Sequence, residues 1–238
     1  MALAALFFGA HPDDVELTSG GLAALLAAQG HAVGVVDLTR GELGTRGDPA
    51  VRAAEAQAAA RALGVAGRES LGLPDGGLDR REARQLAAVI ECVRRHRPVL
   101  VVAPDDDDPH PDHVEASHLV RRACHLAGLA RYPAGGERWR PARLLFALFR
   151  SARAPQLVVD VTPVWARRSA ALRAHASQLE PSAGAPTYLT APGFLAEVEG
   201  RARAFGALAG AEFGEGFRAP GPLALADPGP LVAARGGA

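Results

Sequence analysis

The chain predicts an α/β fold, a mostly parallel sheet covered by helices on both faces, and three observations carry that expectation. Short apolar runs alternate with helical patterns along most of the 238 residues, the order that right-handed βαβ units require. The runs are continuously apolar, as strands buried on both faces must be. Connections between them are short, and 48% hydrophobic residues supply ample apolar surface for a sizeable core. No internal repeat and no convincing linker divides the sequence, so residues 1–238 are expected to form one domain.

Ala2 to Gly9 reads as the first strand, and Ser19-Gly20-Gly21 opens the helical pattern LAALLAAQG. AVGVVDL, ending at Leu38, is a second buried strand. Asp48-Pro49 then makes an N-cap and first-turn pair for a helix to about Leu63. Glu69 to Leu73 is a third strand, PDGG a turn, and Asp79 the expected cap of a helix through His96. VLVVAP follows Pro98 as the fourth strand. An acidic loop at 105–112, a helix near 113–128, strands at 144–150 and 156–161, and helical patterns at 163–178 and 192–209 complete the fold. The Pro-, Gly- and Ala-rich tail after Pro220 is expected to be extended or loosely ordered.

Bulk properties narrow the function classes. A formal net charge of zero gives no general field for binding a phosphate backbone, so a small-molecule partner is expected and a nucleic acid is not. All 26 basic residues are Arg, which excludes lysine Schiff-base chemistry. Cys92 and Cys124 fall in helical patterns without a CxxC motif, pointing to a reducing compartment and a packing role. With no basic n-region, no signal-type apolar segment and no run near 18 apolar residues, no membrane association is expected and a cytoplasmic location is.

Chemistry concentrates in two motifs. His11-Pro12-Asp13-Asp14 lies where strand 1 ends, and His110-Pro111-Asp112-His113 lies beyond strand 4, both at the carboxyl edge where parallel sheets bind ligands. One HPDD alone reads as easily as a polar turn. Two such clusters at one sheet edge read as a metal centre, with His11, Asp14 and His113 as three ligands and an open fourth position. Asp13, adjacent to a ligand yet free, is the candidate general base. His110 remains to protonate a leaving amine or stabilise an oxyanion, with Asp112 holding its imidazole. The Asp105 to Asp108 run lacks the glycine and distal Glu of a calcium loop and reads as a solvated acidic loop. Residues 41–47 lack the ending of a phosphate loop, and His31, His96, His118, His125 and His175 receive no role.

At these two motifs the sequence resembles the LmbE-like (PIG-L) N-acetylglucosamine deacetylase superfamily, whose AHPDD and HPDH signatures stand intact. TRGELGTRGDPAVR at 39–52, LGLPDGGL at 71–78, AHASQLE at 174–180 and FGEGF at 213–217 resemble the branch that deacetylates N-acetylglucosaminyl-malate in bacillithiol biosynthesis. The resemblance thus spans nearly the whole chain. It implies a Rossmann-like fold, zinc on His11, Asp14 and His113, Asp13 as base, and His110 with Asp112 as acid and orienting group. Ferrous iron suits the same donors. Arg52 resembles an arginine that meets the sugar or its acidic aglycone, and Tyr188 resembles a hydroxyl that helps bind the oxyanion. The resemblance also implies a homo-oligomer. One departure is Asp108-Pro109, where relatives often read Asp-Arg, which bears on the aglycone.

Overall fold

The computed structural model describes residues 2–181 and 184–224. Seven strands, β1 (Ala5–Gly9), β2 (Val33–Thr39), β3 (Gly67–Leu73), β4 (Leu100–Pro104), β5 (Arg143–Ala147), β6 (Leu157–Asp160) and β7 (Gly214–Arg218), form one sheet in the order β3-β2-β1-β4-β5-β7-β6. The first five are parallel to one another, and β7 runs antiparallel to both β5 and β6. Among the described residues eight helices complete it: α1 (Asp14–Thr18), α2 (Gly20–Ala28), α3 (Pro49–Leu63), α4 (Ala83–His96), α5 (Pro111–Ala127), α6 (Trp165–Arg173), α7 (Ala176–Leu179) and α8 (Phe194–Ala209).

Side-chain alternation along β1 sorts the core into layers. Leu6 and Phe8 join Val36, Leu38, Val101 and Ala103 against Leu86, Val89 and Ile90 of α4 and Leu119 and Val120 of α5. Ala5 and Phe7 point the other way, joining Val35, Val102 and Leu145 against Leu22 and Ala23 of α2. Behind α2, Ala59 and Leu63 of α3 meet Ala171 of α6 and Ala202 of α8. Burying each large side chain of this kind contributes about 1.5–3 kcal/mol. Both faces are therefore covered, as the apolar strand runs require.

Most expected elements form, and the differences have local causes. Asp48 accepts hydrogen bonds from the Ala50 and Val51 amides at 2.8 and 2.9 Å, with Pro49 opening α3 as its sequence indicates. Asp79 instead accepts from Arg81, and Glu82 caps α4 through the Gln85 amide at 2.7 Å. Helix starts at Asp14 within the HPDD turn, ahead of the expected entry at Ser19. The pattern at 163–178 breaks at His175, whose fully buried ring turns toward Glu16. Strand β7 has no counterpart among the expected elements. Cys92 and Cys124 are free and buried between α4, α5 and the sheet. The tail expected to be loose lies, from residue 225, outside the described residues. Among the described residues no helix is long and apolar enough to cross a membrane.

Candidate metal centre

Strand order decides where the site falls. The chain winds from β1 toward β2 and β3 on one side and continues from β4 to β5 on the other, so β1 and β4 flank the topological switch point, where the loops diverge and leave a crevice. HPDD leaves β1 and the 105–110 loop leaves β4, side by side. The HPDD turn is tight: Asp13 has φ 117° and ψ −23°, a conformation that costs a non-glycine residue on the order of 1–3 kcal/mol. Its restraints are visible. The His11 amide donates to Asp14 Oδ2 at 2.8 Å, while the Arg52 guanidinium donates to Pro12 O at 2.7 Å, Asp13 Oδ2 at 3.3 Å and Gly41 O at 2.9 Å. Gly41 makes room for this brace: at φ +66°, a Cβ there would fall 1.7 Å from Arg52 Nη1.

Asp14 is the vertex of the donor set. Its Oδ1 lies 3.2 Å from His113 Nε2 and its Oδ2 lies 3.5 Å from His11 Nδ1, with the two rings 5.6 Å apart. The far nitrogens are also held by carboxylates. His11 Nε2 meets Asp75 Oδ1 at 3.0 Å and Asp112 Oδ2 at 3.2 Å, and His113 Nδ1 meets Asp108 Oδ1 at 3.0 Å. Carboxylates behind metal-bound histidines fix tautomer and raise basicity in this way. Burial opposes charge on His11, but Asp112, Asp14 and Asp75 push it up to about 12. His113, also disfavoured by burial, is pushed up to about 10 by Asp14 and Asp108. Four carboxylates around two imidazoles thus demand positive charge in one small volume. A divalent ion satisfies that demand and leaves both rings neutral, and two nitrogens with one carboxylate oxygen suit zinc or ferrous iron.

A second group of donors, Glu69, Cys92 and His96, lies away from this edge. There Arg95 already spans both Glu69 oxygens at 2.7 and 2.9 Å, and burial pushes the Cys92 thiol up, out of thiolate range. That group is a neutralised ion-pair cluster.

Around the centre lies a pocket of about 520 Å³ lined by His11, Asp13, Asp14, Arg52, His110, His113 and Tyr188, so every anticipated site residue but Asp112 reaches its wall. Burial pushes the Asp13 carboxyl up to about 6, with Arg52 restraining the rise. His110 stacks on His113 with centroids 4.7 Å apart and lies edge-on to His11 at 4.8 Å. Partial burial and the charges of His113 and His11 lower its pKa below the ordinary imidazole value.

Several assignments change. The Asp112 carboxylate, expected to orient His110, instead accepts from the Gly76 amide at 2.8 Å and holds His11. His110 is oriented by the Asp112 backbone amide, which donates to Nδ1 at 3.2 Å and leaves the proton of the neutral ring on Nε2. Asp108 is no solvated loop residue, since its side chain is only 7% exposed against His113. Arg52 reaches the pocket with its guanidinium already committed to the HPDD turn. The Tyr188 hydroxyl donates to Glu197, and its ring lies under Arg150 at 4.4 Å. Two residues escape the sequence reading: Asp75 lies in the quoted LGLPDGGL segment, and His175, fully buried beside Glu16, in AHASQLE.

Fold and site together define a class: a Rossmann-like α/β protein with a His–Asp–His cluster at the sheet's switch point and an arginine-braced carboxylate beside it. The chain belongs to the PIG-L family, described as GlcNAc-PI de-N-acetylase, whose sequence profile matches residues 6–124. It is 31% identical over 242 aligned positions to a 1D-myo-inositol 2-acetamido-2-deoxy-alpha-D-glucopyranoside deacetylase of Streptomyces avermitilis, covering 74% of this chain and 82% of that protein. It spans only 57–60% of the length of the Rhodococcus relatives of the same description. Its fold superposes on a conserved protein of Thermus thermophilus with a TM-score of 0.85 at 37% identity, covering 94% of this chain and 97% of that one. It also matches N,N'-diacetylchitobiose deacetylase of Pyrococcus horikoshii with a TM-score of 0.78 at 25% identity, covering 90% and 82%.

Proposed function

We propose that the protein is a metal-dependent hydrolase that removes the acetyl group of an N-acetylglucosaminide, releasing acetate and the free amine. The observation that carries this reading is the convergence of two histidines and Asp14 beside a strained Asp13, outside that donor set and braced by Arg52, at the β1/β4 crevice. His11, Asp14 and His113 would hold the ion, which when bound supplies Lewis acidity toward water and a carbonyl.

The chain's own groups supply the rest. Asp13, with a pKa of about 6, takes a proton from the water that attacks the acetamide carbon, in the range where a base at neutral pH works best. Arg52 holds that carboxylate against the pocket. His110 offers Nε2–H to the oxygen that gains charge, and the proton that Asp13 took from the water passes to the nitrogen as the C–N bond breaks. The pocket volume accommodates a sugar with a small aglycone.

For the aglycone, the segments at 39–52 and 174–180 favour malate. The Streptomyces relative favours a second reading, an inositol glycoside, because its description names that substrate. Acetate release from N-acetylglucosamine and its malate, inositol and β-1,4-linked conjugates, with and without added zinc, tests the proposal. Metal-dependent release from at least one of them is expected. Absence of release from all of them with metal bound would refute the deacetylase reading.

A further inference from the structure

The pocket wall carries two arginines, and they differ in what their donors do. Arg52 is buried, and its terminal nitrogens are spent on Gly41 O, Pro12 O and Asp13. Arg150 is exposed, and among the described residues its guanidinium makes no hydrogen bond or ion pair. Its position is nonetheless built. Arg150 follows Leu148, whose amide donates to Gly216 O at 2.9 Å, and Phe149, which is buried under the Arg201 guanidinium. The Arg150 guanidinium lies over the Tyr188 ring at 4.4 Å. That ring is fixed in turn, edge-on to Phe194 at 5.2 Å, with its hydroxyl on Glu197. Glu197, the carboxylate facing this platform, is shared between the Tyr188 hydroxyl and Arg201 at 2.7 Å.

A stacked guanidinium keeps its edge donors directed and unsatisfied, which pre-organises it for a planar anion. The same pocket is lined by the histidine and carboxylate cluster at which the acetamide is to react. A glucosaminide whose acetamide lies at that cluster directs the remainder of the molecule toward the rim. Resting on the deacetylase reading above, we infer that Arg150, seated on Tyr188, is the residue that selects for a carboxylate on the aglycone, and that Arg52 is not.

The probes are the carboxymethyl and ethyl glycosides of N-acetylglucosamine, nearly equal in size and different in charge, tested on zinc-loaded protein. The parent enzyme should favour the carboxymethyl glycoside by about tenfold or more in kcat/KM, the range that one charge-assisted contact supplies, mainly through KM. Arg150→Gln should reduce that preference to about twofold or less, Arg150→Lys should restore part of it, and added salt should erode it in the parent. Arg52→Gln should depress kcat for both glycosides alike. A parent without preference, or an Arg150→Gln variant that keeps it, overturns the inference while acetate release leaves the deacetylase reading intact. If neither glycoside releases acetate, calorimetric binding of the two glycosides to parent and Arg150→Gln still decides. Charge preference that disappears in the variant upholds the role of Arg150, and its absence in the parent, or its persistence in the variant, refutes it.

Discussion

Asp13 and Asp14 are joined by one peptide bond and sit in opposite environments. Against the burial that opposes its charge, Asp14 is held well below the usual carboxylate range by His113 and His11, as the proposed ligand role requires, whereas burial pushes Asp13 up to about 6. Asn tolerates positive φ better than other non-glycine residues, so Asp13→Asn should fold, retain its metal and lose about 10²–10⁴-fold in turnover, the usual contribution of a general base. Asp14→Asn should lose metal first. Metal content by atomic absorption beside acetate release separates the two, and a metal-free Asp13→Asn would reverse the assignment. Local spacing singled out His11, Asp13, Asp14, His110 and His113, which line one pocket. It could not find Asp75 or pair Asp112 correctly, because those carboxylates meet His11 across 64 and 101 residues of chain.

At the scale of elements, α3 links stability to the site. Asp48 caps it, and Arg52 lies one turn further on, its amide bonded to Asp48 O at 3.0 Å. Asp48→Ala should therefore lower unfolding free energy by about 1 kcal/mol, as loss of an N-cap typically does, and should reduce turnover through a less firmly held Arg52. Urea unfolding and kinetics on the same preparation check both, and a loss of stability with unaltered kcat would uncouple cap from catalysis. Asp48-Pro49 announces this helix because cap chemistry is local. Strand β7 is illegible for the opposite reason. Gly214 and Gly216 carry no strand propensity, and they are required because Gly206 and Phe205 of α8 press on that strand: a Cβ at Gly214 would fall 2.7 Å from Gly206 N and one at Gly216 2.9 Å from the Phe205 ring. Only the packed molecule explains them.

Across the whole molecule, a buried charge network ties the site to the sheet. Arg68 of β3 donates to Glu16 Oε1 at 2.5 Å and to both oxygens of Asp37 at 2.7 and 2.8 Å, while His175 lies 3.4 Å from the other Glu16 oxygen. Burial disfavours the Glu16 charge, yet Arg68 and His175 outweigh it and hold the pKa at about 2, below the ordinary 4.5. A carboxylate so depressed contributes its stability in full above pH 4.5 and loses it as pH falls from 4.5 through 2. Urea unfolding of the parent should weaken across that window more steeply than that of Glu16→Gln; parallel slopes would remove Glu16 from the acid response. The clasp around Asp75 has a different consequence. Its carboxylate receives the Leu43 amide at 2.8 Å and also meets His11, while the Asp75 amide donates to Glu42 at 2.9 Å. An ion held at Nδ1 of His11, the nitrogen facing Asp14, would leave the remaining ring proton on Nε2, toward Asp75, so loading the centre should tighten a loop that contributes no ligand. The Leu43 amide hydrogen then becomes a gauge of occupancy: its exchange with deuterium should slow when zinc is added and quicken when a chelator removes it, and equal rates in both states would mean that the loop does not sense the metal.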